Sequence, residues 1–208
     1  PENQDLENYR DFALYFQDED NILGTSFMPY LQNVAGLTGV NYRLEPWTYR
    51  EDEGCELGNM FTACVAADND PATPLIKAHA GDRVMINIFG AHNEQNQMFN
   101  LDGHQWRRHL NQEGSDMIDV EEFGGGEYIQ AFIKAGGTYN NPGTYLWLNA
   151  RTPYQQAGQW GYFKVLPPGE RSILPLGGAS SKGVKTASSP QDNRNVASKV
   201  KKDRLSMR

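Results

Sequence analysis

Few residues in this sequence could bind a metal ion, attack a bond or carry a proton, and they are scattered. Histidines stand at His79, His92, His104 and His109, and cysteines at Cys55 and Cys64. A zinc or copper centre gathers several imidazoles or thiolates around one ion. His104 and His109 lie five residues apart around Trp106, Arg107 and Arg108, a spacing that puts them on opposite faces of a strand and argues against joint chelation. His92 beside Glu94 reads most simply as part of an exposed polar loop. The cysteines lie nine apart in EDEGCELGNMFTAC, with no CxxC spacing and no histidine nearby, which argues against zinc. A disulfide closing this loop is the preferred reading and would indicate an oxidising compartment. Two buried thiols are the alternative. Three acidic groups (residues 18–20, residues 51–53, and Asp119 with Glu121 and Glu122) could attract hard cations, but solvated acidic loops are the commoner meaning of such runs. Gly124 to Gly126 lack the Lys-Ser/Thr and the following helix of a phosphate loop. No Ser-His-Asp or Cys-His arrangement stands out, so no catalytic residue is assigned.

The elements that must hold these residues are β-strands. The chain has 208 residues with 38% hydrophobic and 11% aromatic content, enough to bury one substantial core. Its 21 glycines and 11 prolines favour many turns. No window approaches 18 apolar residues, so no transmembrane helix is expected. No signal-peptide pattern is visible, and a start at Pro1 reads as a mature, processed or excised segment. The net charge of −7 is uneven. Residues 168–208 hold nine Lys/Arg against three Asp/Glu, a net +6, and the preceding 167 residues hold ten against 23, a net −13. An acidic body argues against nucleic acid as the main partner.

Short apolar or alternating runs are expected as strands at 12–16, 40–44, 75–80, 83–89, 98–101, 117–120, 127–133, 145–148 and 160–165. Turn signals separate them, among them Gly81-Asp82, Gly124 to Gly126 and Asn141 to Gly143. Residues 26–34 are ambiguous between strand and irregular connection, and 47–73 read as an elaborated acidic loop. The pattern predicts an antiparallel all-β Greek-key sandwich or barrel over residues 10–167, after a lead-in at 1–9. Tyr145, Trp147, Trp160 and Phe163 are expected between or beside its sheets, with Arg107 and Arg108 near its rim. Residues 168–208 are expected as a flexible or extended basic tail.

Several motifs in order resemble a multicopper-oxidase cupredoxin domain. They are DPATPLIKAHAGD (70–82) leading into VMINIF, then GEY (126–128), AGG (135–137), PGTYLW (142–147), AGQWG (157–161) and FKV (163–165). GVNYR (39–43) with Glu45 and Pro46, GAHNEQ (90–95) and GQWG make the long, multi-domain ceruloplasmin-like and bacterial manganese-oxidising enzymes the nearest in resemblance. Copper-binding members carry two ligand segments, which here read QMFNLDGHQW (97–106) and GTYLWLNARTPYQQAGQWGYFKV (143–165). The resemblance places Gln97 at a type 1 copper histidine, Asn149 at the cysteine, Tyr154 at the second histidine and Gln159 at the axial methionine. Asn100, Asp102, Leu148 and Ala150 fall at histidines of the trinuclear cluster, and His104 at a histidine that is usually not a ligand.

A type 1 site needs a thiolate and two imidazoles, and a Gln as axial ligand cannot replace them. The resemblance therefore implies a cupredoxin fold in a copy without copper of its own. An oxygen-rich site of Asn100, Asp102 and His104 would have too few strong ligands. The implied role is a structural domain or processed subunit of a larger, extracytoplasmic oxidase that holds copper elsewhere. Its partners would be other cupredoxin domains or subunits of that oxidase. The alternative is a stand-alone binding or assembly module.

Overall fold

The computed structural model describes residues 8–18, 38–52, 54–61, 70–93 and 95–176. Residues 26–34, Cys64 and the chain after Leu176 lie outside them. Among the described residues there are eleven strands: β1 (Arg10–Gln17), β2 (Gly39–Val40), β3 (Ile76–His79), β4 (Arg83–His92), β5 (Gln97–Leu101), β6 (Trp106–Arg107), β7 (Met117–Ile118), β8 (Val120–Phe123), β9 (Tyr128–Lys134), β10 (Gly143–Asn149) and β11 (Trp160–Leu166). Two short helices, α1 (Trp47–Asp52) and α2 (Thr152–Gln156), lie between them. No helix among the described residues is long and apolar enough to cross a membrane.

The strands make one sheet in the order β2-β1-β4-β9, a second in the order β3-β11-β10-β5-β8, and a β6-β7 ribbon. This is the all-β sandwich the alternation predicts, with one difference: β1 pairs with β4 in parallel, and so does β11 with β3. The partners in each parallel pair are far apart in sequence, as parallel pairing requires a long crossover. Two expected strands are also cut. In VNYRL the strand stops at Val40, because Asn41 (φ 52°) and Tyr42 (φ 60°) turn the chain so that Val40 and Arg43 exchange hydrogen bonds of 2.8 and 3.0 Å. Two central residues with positive φ define the tight turn that matches strand twist. The run 117–120 breaks at Asp119 into β7 and β8.

The core lies between the two sheets. Leu14, Phe16, Val84, Ile86, Ile88 and Ala131 from the first face Phe99, Leu101, Trp147, Phe163 and Val165 from the second. Phe16 is its centre, edge-on to Phe99, Phe123 and Trp147 at 5.3–6.2 Å. Edge-to-face geometry suits the ring quadrupoles. Gly161 opposes Trp147 across β10-β11, and a Cβ there would fall 2.4 Å from the indole. The glycine of GQWG is thus space for a tryptophan.

Strand β11 is buried on both faces, since the segment around α1 covers its outer side. Arg50, 2% exposed, stacks over Trp160 at 4.6 Å and donates to Glu45 Oε1 (2.5 Å) and the Met60 carbonyl (3.2 Å). Phe61 packs on Trp160 at 5.0 Å, and Trp160 Nε1 donates to the Glu45 carbonyl at 2.8 Å. Gly158 (φ 116°) brings the chain so close to Glu45 that a Cβ would lie 2.6 Å from its nitrogen. The Glu45-Pro46 and GQWG motifs are therefore two sides of one contact. Cys55, just after α1, is buried and is not a free thiol.

Candidate functional site

The site is a closed set of polar side chains at one end of the sandwich. Gln97 opens β5 and Asn149 ends β10. Both point inward, because β5 and β10 are paired with Asn149 opposite Phe99 and Gln97 lies two residues from Phe99 on the same face. The turn after α2 then brings Gln159 back: its N–H donates to the Tyr154 carbonyl and its carbonyl accepts from Asn149 N, both at 2.9 Å. Gln97, Asn149 and Gln159 are fully buried, and Asp18, just after β1, is 1% exposed.

Burial of so many polar groups requires a partner for each of them. Asn149 Nδ2 donates to Gln97 Oε1 and to Gln159 Oε1 (2.6 Å). Gln97 Nε2 donates to the Asp18 carboxylate and to the Gln95 carbonyl (3.0 Å). Gln159 Nε2 donates to the Gln17 carbonyl at 2.9 Å. Asn149 Oδ1 accepts from the backbone N–H groups of Met98 (3.3 Å) and Arg151 (3.0 Å). Two fixed backbone donors on one atom, with two acceptors at the other end, set the orientation of the Asn149 amide. The neighbouring amides follow from it.

Tyr154 completes the ring. Its phenol is pushed up to about 12, first by burial and then by its hydrogen bond to Asp18 and that residue's charge. Arg151 covers it, with the guanidinium 4.9 Å from the ring and hydrogen bonds to the Asn96 carbonyl (2.5 Å) and Gln95 Oε1 (2.7 Å). Four positions singled out in sequence, Gln97, Asn149, Tyr154 and Gln159, thus meet in one place. Asp18 and the Gln17 carbonyl join them without warning from the sequence, where Asp18 reads only as one of the acidic group at 18–20. Asp18 lies 79 residues from Gln97, and only folding reveals the pair.

This donor set does not fit copper. It offers neutral amides, one carboxylate and a phenol whose proton is held more tightly than usual. A blue-copper ion needs a thiolate and imidazoles. Each amide is, moreover, already committed to a neighbour.

The other four positions lie elsewhere. Asn100 and Leu148 are direct partners across β5 and β10, on the outer face of the second sheet, and both are half-buried. Asn100 Nδ2 donates to the Asp119 carbonyl at 3.1 Å. Ala150 and Asp102 are exposed, and the Asp102 carboxyl is raised by partial burial and by the Asp119 charge. His104, 2% exposed, belongs to neither group. Its Nδ1 lies 2.9 Å from the Asp102 carbonyl, and its Nε2 accepts from Gly136 N–H at 3.0 Å. A carbonyl on one side and an N–H on the other fix the neutral ring with its proton on Nδ1. No lone pair is left for a metal, and burial lowers its pKa.

His79 is spoken for as well. It contacts Arg10 Nη2 at 3.2 Å and the Glu170 carbonyl at 2.7 Å, while Arg10 pairs with Asp82 at 2.6 Å and donates to the Leu174 carbonyl at 2.6 Å. His109 is exposed, and nothing local in the sequence signals the Arg10–Asp82 tie. Among the described residues no group of three or more His, Cys, Asp or Glu is placed to hold a metal ion.

Two stacked sheets with this strand order, and with the ligand-bearing segments of the resemblance converging at one end, define a cupredoxin-like domain. Solved structures agree. The chain aligns with a copper nitrite reductase from Nitrosomonas europaea (TM-score 0.52, 12% identity, 79% of this chain and 52% of that one). It also aligns with the multicopper oxidase mgLAC (0.52, 16%, 83% and 48%) and with a blue copper oxidase from Nitrosomonas europaea (0.51, 13%, 79% and 46%). It spans about half the length of each. No protein-family model and no curated protein matches the sequence.

Proposed function

We propose that the chain is a copper-free cupredoxin domain, a structural part or processed subunit of a larger multicopper oxidase. That assembly would couple substrate oxidation, with metal ions among the candidate substrates, to dioxygen reduction at copper sites in other domains. The observation that carries this reading is the convergence of Gln97, Asn149, Tyr154 and Gln159. Where the resembled family places thiolate, imidazole and thioether, this chain has a self-satisfied hydrogen-bond network. Such a network keeps the frame folded without an ion.

Other features are read in the same light. The cupredoxin body spans residues 10–167 after a lead-in at 1–9, and 168–208 form a basic tail whose first residues bond to Arg10 and His79. Cys55 pairs with Cys64, the only other cysteine in the chain, which favours a secreted, periplasmic or cell-surface location. The partners are other cupredoxin domains or subunits of the same oxidase.

A second reading, a stand-alone binding or assembly module, is favoured by one observation: Tyr9, Tyr15 and Tyr128 stand 43–47% exposed on the outer face of the first sheet. The native mass separates the two. Purified from its source without denaturant, the chain is expected to elute in a particle several times its 23.4 kDa, together with copper-bearing domains. Elution of all the native material as a lone 23.4 kDa chain would sink the subunit reading and leave the module.

A further inference from the structure

On the outer face of the first sheet, three rings stand in a row across β1, β4 and β9. Tyr15 stacks on Phe89 at 4.6 Å and 10°, and Phe89 on Tyr128 at 4.8 Å and 29°. Tyr128 then forms one wall of a cavity of about 510 Å³, whose opposite side is the loop after β6. That volume is in the range of small-ligand sites. The Tyr128 ring is held in place by its hydroxyl, which donates to Asn87 Oδ1 at 2.7 Å. Gln130 is fixed through the same atom, its Nε2 donating at 3.0 Å.

The remaining lining is mostly polar, with Leu110 and Ile129 as its aliphatic members and His109 on the loop. Arg108 and Glu121 enter it 3.9 Å apart, one cation and one anion, and Arg108 is 48% exposed. Asn111 and Gln112 add two exposed amides from the loop. This chemistry selects against several ligand classes. An anion would meet Glu121, a cation would meet Arg108, and a wholly apolar molecule would desolvate both charges and three amides. Forked donors and acceptors in one plane suit adjacent hydroxyl groups, which both give and take hydrogen bonds. An aromatic wall suits a ring with an apolar C–H face.

We propose that this cavity is a binding site for a neutral saccharide, with a sugar ring stacked on Tyr128 and its hydroxyls held by Arg108, Glu121, Gln112 and Gln130. It is independent of the copper question, being formed by β8, β9 and the loop after β6.

Titration calorimetry of the full chain with cellohexaose, xylohexaose and maltohexaose, and with an alginate hexamer as an acidic control, tests it. At least one neutral hexaose is expected to bind at micromolar to millimolar strength, with little dependence on salt. Tyr128→Ala and Gln112→Ala should each weaken that binding by about tenfold or more. Gln112 is exposed on the loop, so its loss leaves the core untouched. Tyr42→Ala, at the distant hairpin tip, should leave binding unchanged. The proposal is overturned if no neutral hexaose binds at millimolar concentration. It is equally overturned if only alginate binds and salt abolishes the binding, or if Gln112→Ala and Tyr128→Ala both bind like the parent chain.

Discussion

The eight positions that the sequence resemblance sets against copper ligands fall into two different environments in this chain. The inner four, Gln97, Asn149, Tyr154 and Gln159, form one buried network with Asp18. The outer four, Asn100, Asp102, Leu148 and Ala150, lie half-buried or exposed on or beside the outer face of the second sheet, where only Asn100 makes a side-chain tie to the backbone nearby. The difference follows from solvation. A polar group sealed in the core must find a partner or cost a few kcal/mol, roughly 1–3 each. A group at the surface has water. Inside, therefore, each side chain has to suit the others, whereas outside a leucine and an alanine serve as well as an amide.

The contrast can be broken by mutation. The largest effect is expected from Asn149→Ala, which strips partners from Gln97 Oε1, Gln159 Oε1 and two backbone N–H groups at once. We expect a loss of about 3 kcal/mol or more in urea unfolding; a loss under about 1 kcal/mol would mean that water replaces the amide and the network is not closed. Next, a double-mutant cycle on Asn149 and Gln159 should give a coupling of about 1–2 kcal/mol, against less than about 0.5 for Asn100 and Leu148. Equal couplings would erase the distinction between the two groups.

Acid provides a further, smaller handle. His104 is neutral and buried, and its folded pKa lies below the usual value. The unfolded chain therefore takes up a proton that the folded one refuses, and stability is fully present above the ordinary histidine value of about 6.5. It should fall as pH drops from there toward the lowered folded value. His104→Gln should flatten that stretch of the stability profile. An unchanged slope would show that His104 is not the group responsible. The smallest effect belongs to Asn100→Ala, within about 0.5–1 kcal/mol of the parent.

Much of this was legible in the sequence, for a definite reason. Strict alternation in 83–89 reports a half-buried strand, and β4 and its neighbours follow. The resemblance of 97–106 and 143–165 to the two ligand segments of the family let the inner four positions be named before their geometry was known. What the sequence concealed is long-range. The parallel pairing of β1 with β4 has no local signature. Asp18 looked like any acid in an acidic turn, because nothing near it marks a buried partner 79 residues away. The cover over β11 is similarly hidden: Arg50 reads as a charge in a polar loop, and only the Trp160 ring and Glu45 together make it a core residue. The alternation of VNYRL misled outright, since it says nothing about φ at Asn41 and Tyr42.

Copper stoichiometry tests the central claim most directly. The folded chain, incubated with cuprous ion under reducing conditions, passed over a desalting column and then oxidised in air, should retain far less than one copper per chain and show no intense blue absorption. The variant carrying Gln97→His, Asn149→Cys, Tyr154→His and Gln159→Met together should gain both. One tightly held copper with blue colour in the unmodified chain would contradict the account, because the amide network would then have to be a metal site after all.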